Sequence, residues 1–401
     1  VLSFTGISDR CLTYRAAKDH SAYTHWSRLS AAASRGPALT IIAVCAVLFG
    51  VGFWYGQYQQ IGDLDPGAPE LRADSRYNRD IAYLTANYST STDVFVVMAR
   101  TQEQQCGSYD FIASVDRFQT EMLAVGGVQS ALSLVDVSKL VIQGMNEGNP
   151  KWHDISRNQY ILTNSLSRAP SSLRNVDCSM APLIFFLEDH KARTLQDVVA
   201  AAEVLGERYG SDTVSFDLAA GNAGVEAATN IVIEEAQVQM LVWVYGVVIL
   251  LCLLNFRSLR ITACIIVPLV LTSVLAQALM AMLGIGVKVA TLPVIAIGIG
   301  IGVDYGIYIY TALQDHLNRG EPLLRVAYFE ALKSSGTAVA FTGLTLAIGV
   351  GTWIFSPIKF QADMGLMLTF MFFWNMLGAL LFLPALAYLL APLPKVADRS
   401  A

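Results

Sequence analysis

"IAIGIGIGVDYGIYIYTAL", residues 295–313, is apolar and glycine-rich, yet it holds Asp304 near its centre. About twenty such residues cross a hydrocarbon core of about 30 Å as a helix. A carboxylate at mid-span costs about 2.5–3.5 kcal/mol to insert, and such residues face a bundle interior and mark ion or proton pathways. Asp304 therefore needs a partner. Tyr305 follows it but points about 100° away on a helix. Gly298, Gly302 and Gly306 recur at spacing four and let another helix approach closely. Gly300 clears space one turn before Asp304, on the carboxylate's own face. A symmetric solution is a second helix with its own Asp-Tyr pair, each carboxylate meeting the other's phenol. The other spans hold no such pair, so that helix is expected outside this chain. The alternative is an aspartate that stays hydrogen-bonded and never titrates.

The rest of the chain fits a membrane setting. Of 401 residues 54% are hydrophobic and only 15% charged, whereas about a quarter are charged in a soluble domain. The net charge is −5 and no basic run stands out, so nucleic acid is not an expected partner. Six windows are long and apolar enough to span: 38–56, 237–255, 261–284, 290–313, 337–355 and 367–391. The fifth is diluted by Thr342, Thr345 and its glycines. Arg10, Arg15, Lys18, Arg28 and Arg35 precede the first span, and Arg257, Arg260, Arg319, Arg325, Lys333, Lys395 and Arg399 fall in loops or the tail on the same side. The opposite short loops hold only Lys288 and Lys359. Both ends are thus expected in the cytoplasm, with the long segment outside. The organisation reads as a cytoplasmic connector (1–37), a span (38–56), an outer α/β domain (57–236), five spans (237–391) and a cytoplasmic tail (392–401). The chain opens on Val1 without a signal peptide and is read as part of a longer protein.

The outer segment repeats a pattern. "STDVFVVMA" (91–99) reads as a strand, "YDFIASVDRFQTEMLAV" (109–125) as a helix and "VQSALSLV" (128–135) as a strand. "APLIFFLE" (181–188), "TLQDVVAAAEVLGERYG" (194–210) and "VSFDLAAG" (214–221) follow the same order. Two strand–helix–strand units suggest a ferredoxin-like split βαβ sandwich. Cys106 and Cys178 are the two cysteines of this segment, the others being Cys11, Cys45, Cys252 and Cys264. An oxidising compartment allows the outer two to pair; two separate buried thiols are the alternative.

Catalytic chemistry is hard to find. No phosphate-cradling G-x-x-x-x-G-K-[ST] loop, H-E-x-x-H or C-x-x-C occurs. The sequence thus offers no metal site, no cofactor site and no nucleophile constellation, and an enzyme is not expected. "LEDH" (187–190) reads as a solvated turn before a helix beginning near Thr194. Thr342 and Thr345 can share a helix face and bond a neighbouring carboxylate, or bond back to their own helix carbonyls. Trp374 and Asn375 read as helix packing with an interior hydrogen bond.

"GIGIGVDYGIYIY" (298–310), "AVAFTGLTLAIGVGTWIFSPIKFQADMGLML" (338–368) and "LFLPALAYLL" (381–390) together resemble the resistance–nodulation–division (RND) superfamily of exporters. The resemblance covers essentially the whole chain as one repeat: a span, a large outer loop and five more spans. It implies a membrane α-helical bundle with a periplasmic porter-type α/β domain, in the C-terminal half of a twelve-span transporter of the bacterial inner membrane. "GDLDPGAPELRADSRYNRD" (62–80) and the single Asp-Tyr pair are most similar to the branch of mycobacterial large membrane proteins and hopanoid transporters. That branch couples export of lipid-like or hydrophobic molecules to proton influx. The proton relay maps onto Asp304 and Tyr305, joined by Thr342 and Thr345. Implied partners are membrane lipids, the hydrophobic substrate and the N-terminal six-helix half or a second copy; a higher oligomer and a periplasmic partner are compatible. An outer segment of this length leaves little room for the docking domain of drug-efflux members. A sterol-sensing-type or regulatory protein without proton coupling is the alternative from another class.

Overall fold

The computed structural model describes residues 25–319 and 323–390. Most of the expected connector (1–24, with Cys11) and the expected tail (392–401) lie outside the described residues. In chain order the helices are α1 Arg35–Gly56, α2 Arg76–Asn87, α3 Tyr109–Met122, α4 Leu134–Met145, α5 Gln159–Ser167, α6 Ala192–Tyr209 and α7 Asn222–Phe256. They continue with α8 Leu259–Leu283, α9 Leu292–Asn318, α10 Leu324–Ala331, α11 Thr337–Gly351, α12 Lys359–Leu377 and α13 Leu383–Leu390. The strands are β1 Val94–Arg100, β2 Val128–Leu132, β3 Met180–Leu187 and β4 Ser215–Ala220. The chain divides into two compact units: Gln60–Glu235 forms one, and the segments on either side form the other.

Burial of every second residue in two continuously apolar strands builds the sheet of the first unit. Every second side chain of β1 and β3 is fully buried: Phe95, Val97 and Ala99, then Ala181, Leu183, Phe185 and Leu187. β1 pairs antiparallel with both β3 and β4, and β2 pairs with β3, giving the order β2-β3-β1-β4. With α3 between β1 and β2 and α6 between β3 and β4, this is the ferredoxin-like arrangement. Helical spacing then supplies the facing layer. Ile112, Val115, Phe118 and Met122 of α3 and Leu195, Val198, Ala202 and Leu205 of α6 share one core with the sheet. Phe118 stacks on Phe216 at 4.4 Å between ring centroids.

The end of β2 and the helix pair that follows it differ from the sequence expectation, whereas the expected pairing of the two outer cysteines is formed. The strand expected to reach Val135 ends at Leu132, because Ser133 and Asp136 form a capping box that starts α4. Ser133 Oγ accepts from Val135 N at 3.1 Å and Asp136 Oδ2 accepts from Ser133 N at 2.7 Å. The helix pair α4 and α5 is thereby inserted between the two halves of the repeat, with a buried contact of 2.7 Å between the Ser138 and Ser165 hydroxyls. Cys106 and Cys178 are joined by a disulfide, with Cα atoms 5.0 Å apart and 72 residues apart in sequence. Closing a loop of that length removes entropy from the unfolded chain worth about 4 kcal/mol.

Among the described residues six helical segments are long and apolar enough to cross a membrane: Arg35–Gly56, Asn222–Phe256, which begins within the first unit, Leu259–Leu283, Leu292–Asn318, Leu324–Phe355 and Lys359–Leu390. α8, α9 and the Lys359–Leu390 segment are about half buried or more, while the others are mostly exposed. Gly284 ends α8 in the left-handed conformation, φ 64°. Two π turns interrupt the later segments, at Leu332–Gly336 and Gly378–Phe382. The second accepts a cross-link: the buried hydroxyl of Tyr328 on α10 donates to Leu380 O at 2.6 Å. A π turn displaces a carbonyl from its usual partner, which makes such a bond available.

Candidate functional site

α9 starts from a hydrogen-bonded turn, in which Thr291 Oγ1 accepts from Lys288 N at 3.0 Å and donates to Gly286 O at 3.1 Å. Pro293, in the first turn, forgoes an amide that has no helical partner there. From there the glycine row sets how the helix seats. A Cβ on Gly298 would lie under 3.0 Å from Met371, on Gly302 from Asn375 and Leu269, and on Gly306 from Ile265. The helices that the three glycines admit are α8 and α12 of this chain. Asn375 secures the contact, donating from Nδ2 to Gly298 O at 2.7 Å in a buried setting.

Asp304 lies on another face. Pro293, Ile297, Gly300, Asp304 and Tyr308 are all exposed, at helical steps of four, three, four and four. A Cβ added to Gly300 would meet nothing within 4 Å. Among the described residues the Asp304 carboxylate has no hydrogen bond and no ion pair. Tyr305 leaves the helix about 100° away and is 3% exposed, packed in the bundle core. Its hydroxyl is buried with no partner among the described residues. Two polar groups at the middle of one span thus stand unsatisfied, one facing out and one facing in. In a hydrocarbon setting an unsatisfied polar group costs several kcal/mol.

The expected threonines do not complete this pair. Thr342 and Thr345 are both exposed on α11. Thr345 Oγ1 donates to Phe341 O at 2.8 Å and contacts Thr342 O at 3.1 Å, the back-bonding habit of helical threonine. No hydrogen bond joins either threonine to Asp304 among the described residues. α11 instead packs on α12, where Gly343 meets Met376.

One group escaped the sequence reading. His190 of "LEDH" is not in a solvated turn: it is 2% exposed, and its Nδ1 lies 3.0 Å from Asp93 Oδ1. Asp189 of the same stretch ties the turn to the following helix, accepting from Thr194 Oγ1 at 2.6 Å and from Lys191 N at 3.2 Å. Nothing local in the sequence announces His190's burial, because Asp93 is 97 residues away.

Among the described residues no group of three or more His, Cys, Asp or Glu is arranged to hold a metal ion. A family model described as the MMPL family matches residues 75–400. Compared with the curated proteins, the chain matches none significantly.

Proposed function

The chain belongs to the MMPL family, membrane transporters of the RND kind, and from that premise we propose that it is the C-terminal half of an exporter driven by the proton-motive force. Its cargo is a lipid-like or hydrophobic molecule, its setting the bacterial inner membrane, and both chain ends lie in the cytoplasm. The α/β unit serves as a periplasmic porter domain through which cargo passes. One observation carries the reading: Asp304 stands at mid-span on an exposed stripe, without a partner among the described residues, so it is complete only against another helix.

That helix comes from the other six-helix half, or from a second copy of this one, and supplies the group that exchanges a proton with Asp304. Tyr305 lines the inner side of the same turn, where its unpartnered hydroxyl serves once the bundles shift. Thr342 and Thr345 sit on the exposed face of α11, and the Thr345 hydroxyl reaches the relay only after releasing the carbonyls of Phe341 and Thr342. The driving force is adequate. Each proton moving down about 100 mV supplies about 2.3 kcal/mol, and each pH unit adds about 1.4 kcal/mol. A sensor built on the same bundle would have no use for a titratable group at that depth.

Transport by the complete protein in proteoliposomes tests this. With a proton gradient imposed and no nucleotide present, a fluorescent lipid-like cargo is expected to move, and a protonophore to stop it. Movement that persists without the gradient, or that requires ATP, would exclude proton drive.

A further inference from the structure

Four elements of the α/β unit converge on His190. Its Nδ1 bonds Asp93, which is 6% exposed and stands just before β1. Its Nε2 is buried with no partner among the described residues, as is Oε1 of Glu226 on the second turn of α7. Asn222, at the start of that helix, accepts from Val94 N at 2.7 Å and donates to Thr92 O at 2.8 Å, which brings α7 beside Asp93. The segment after residue 60 closes the group. Asp63 O accepts from Ala192 N at 3.2 Å, and Gly62, at φ +88°, leaves no room for a Cβ against Asn230.

The charges facing the imidazole are almost all negative. Asp93, Glu226 and Asp63 act on it directly, and Glu70 acts on Glu226. On its own turn Lys191 is paired with Asp189 at 2.8 Å. A neutral imidazole would leave the buried Asp93 carboxylate beside it without a compensating charge, and that is strongly unfavourable.

We propose that protonated His190 is an ionic lock, fastening the segment 61–71 and the first two turns of α7 to the sheet of the α/β unit. α7 is an unbroken helix of 35 residues, and the same helix supplies the second span. The lock therefore holds the start of a helix that the membrane unit also uses. Burial alone would lower the imidazole's proton affinity; the Asp93 hydrogen bond and the charges of Asp93, Glu226 and Asp63 outweigh it and raise the pKa to about 9. A pKa raised on folding gives stability that is complete below the ordinary value near 6.5 and is lost as pH rises through about 9.

Hydrogen exchange of the full chain, with millisecond labelling and correction for intrinsic rates, tests the lock. Protection of 61–71 and 222–230 is expected to fall at least about tenfold between about pH 8 and about pH 10, while β1 and β3 stay protected. His190→Gln should show low protection in those segments at every pH, with no step. If that variant fails to fold, Asp93→Asn carries the test, because it should move the step to lower pH. A missing step in the wild type, or one shared equally by β1 and β3, would overturn the proposal. So would a tightly bound divalent metal whose removal by chelator loosens the same segments.

Discussion

An Asp304→Asn transporter is expected to fold, insert and export nothing. The amide keeps the size and polarity of the side chain, and insertion becomes easier because no charge is desolvated. The exposed stripe of Pro293, Ile297, Gly300 and Tyr308 is untouched. What disappears is the ability to bind and release a proton. The expected loss is about 100-fold or more, the scale on which a positioned proton-transfer group acts. The check is export from cells or vesicles at matched expression, with oligomeric state compared on the same samples. Wild-type export by the amide would remove Asp304 from the mechanism and leave its position unexplained.

A paired substitution separates folding from function on the same helix. Gly302→Val places a branched side chain where a Cβ alone would sit under 3.0 Å from Asn375 and Leu269. Overpacking costs about 1–3 kcal/mol or more, and displacing Asn375 threatens its bond to Gly298 O. Thermal stability and yield of purified protein should fall. Gly300→Val adds the same atoms two residues earlier, where nothing lies within 4 Å. Stability should hardly change, but the new side chain fills the stripe one turn from Asp304, so transport should collapse. A Gly300→Val protein that transports normally would show that no helix seats there. Equal stability of the Gly302→Val protein would contradict the packing described for the glycine row.

The spans, the sheet and the mid-span carboxylate were legible in the sequence for simple reasons. Runs of about twenty apolar residues have one physical use, and short apolar runs rich in β-branched and aromatic residues, "VFVVMA" and "APLIFFL", read as strands. A single charge inside residues 295–313 stands out against its surroundings. Whatever depends on which residues meet was harder to read. The spacing of Gly298, Gly302 and Gly306 shows that a helix packs closely but not which one, and the helices proved to be α8 and α12. The start of α4 was signalled by Ser133 and Asp136 at capping-box spacing, yet Leu134 and Val135 looked like more strand. His190 gave no signal at all, since its setting is assembled from residues near 63, 93 and 226. The two π turns likewise lack a local signature in "LKSSG" and "GALLF".

The central claim is that Asp304 gains and loses a proton during turnover. Infrared difference spectroscopy of the reconstituted, complete transporter reads this directly, through the carbonyl stretch that a carboxyl group shows only when protonated. As the outer pH is cycled in the presence of cargo, that band should appear and vanish in the wild type. It should be absent from the Asp304→Asn protein. A carboxyl signal that does not change with pH, or one that persists unchanged in the Asp304→Asn protein, would contradict the account.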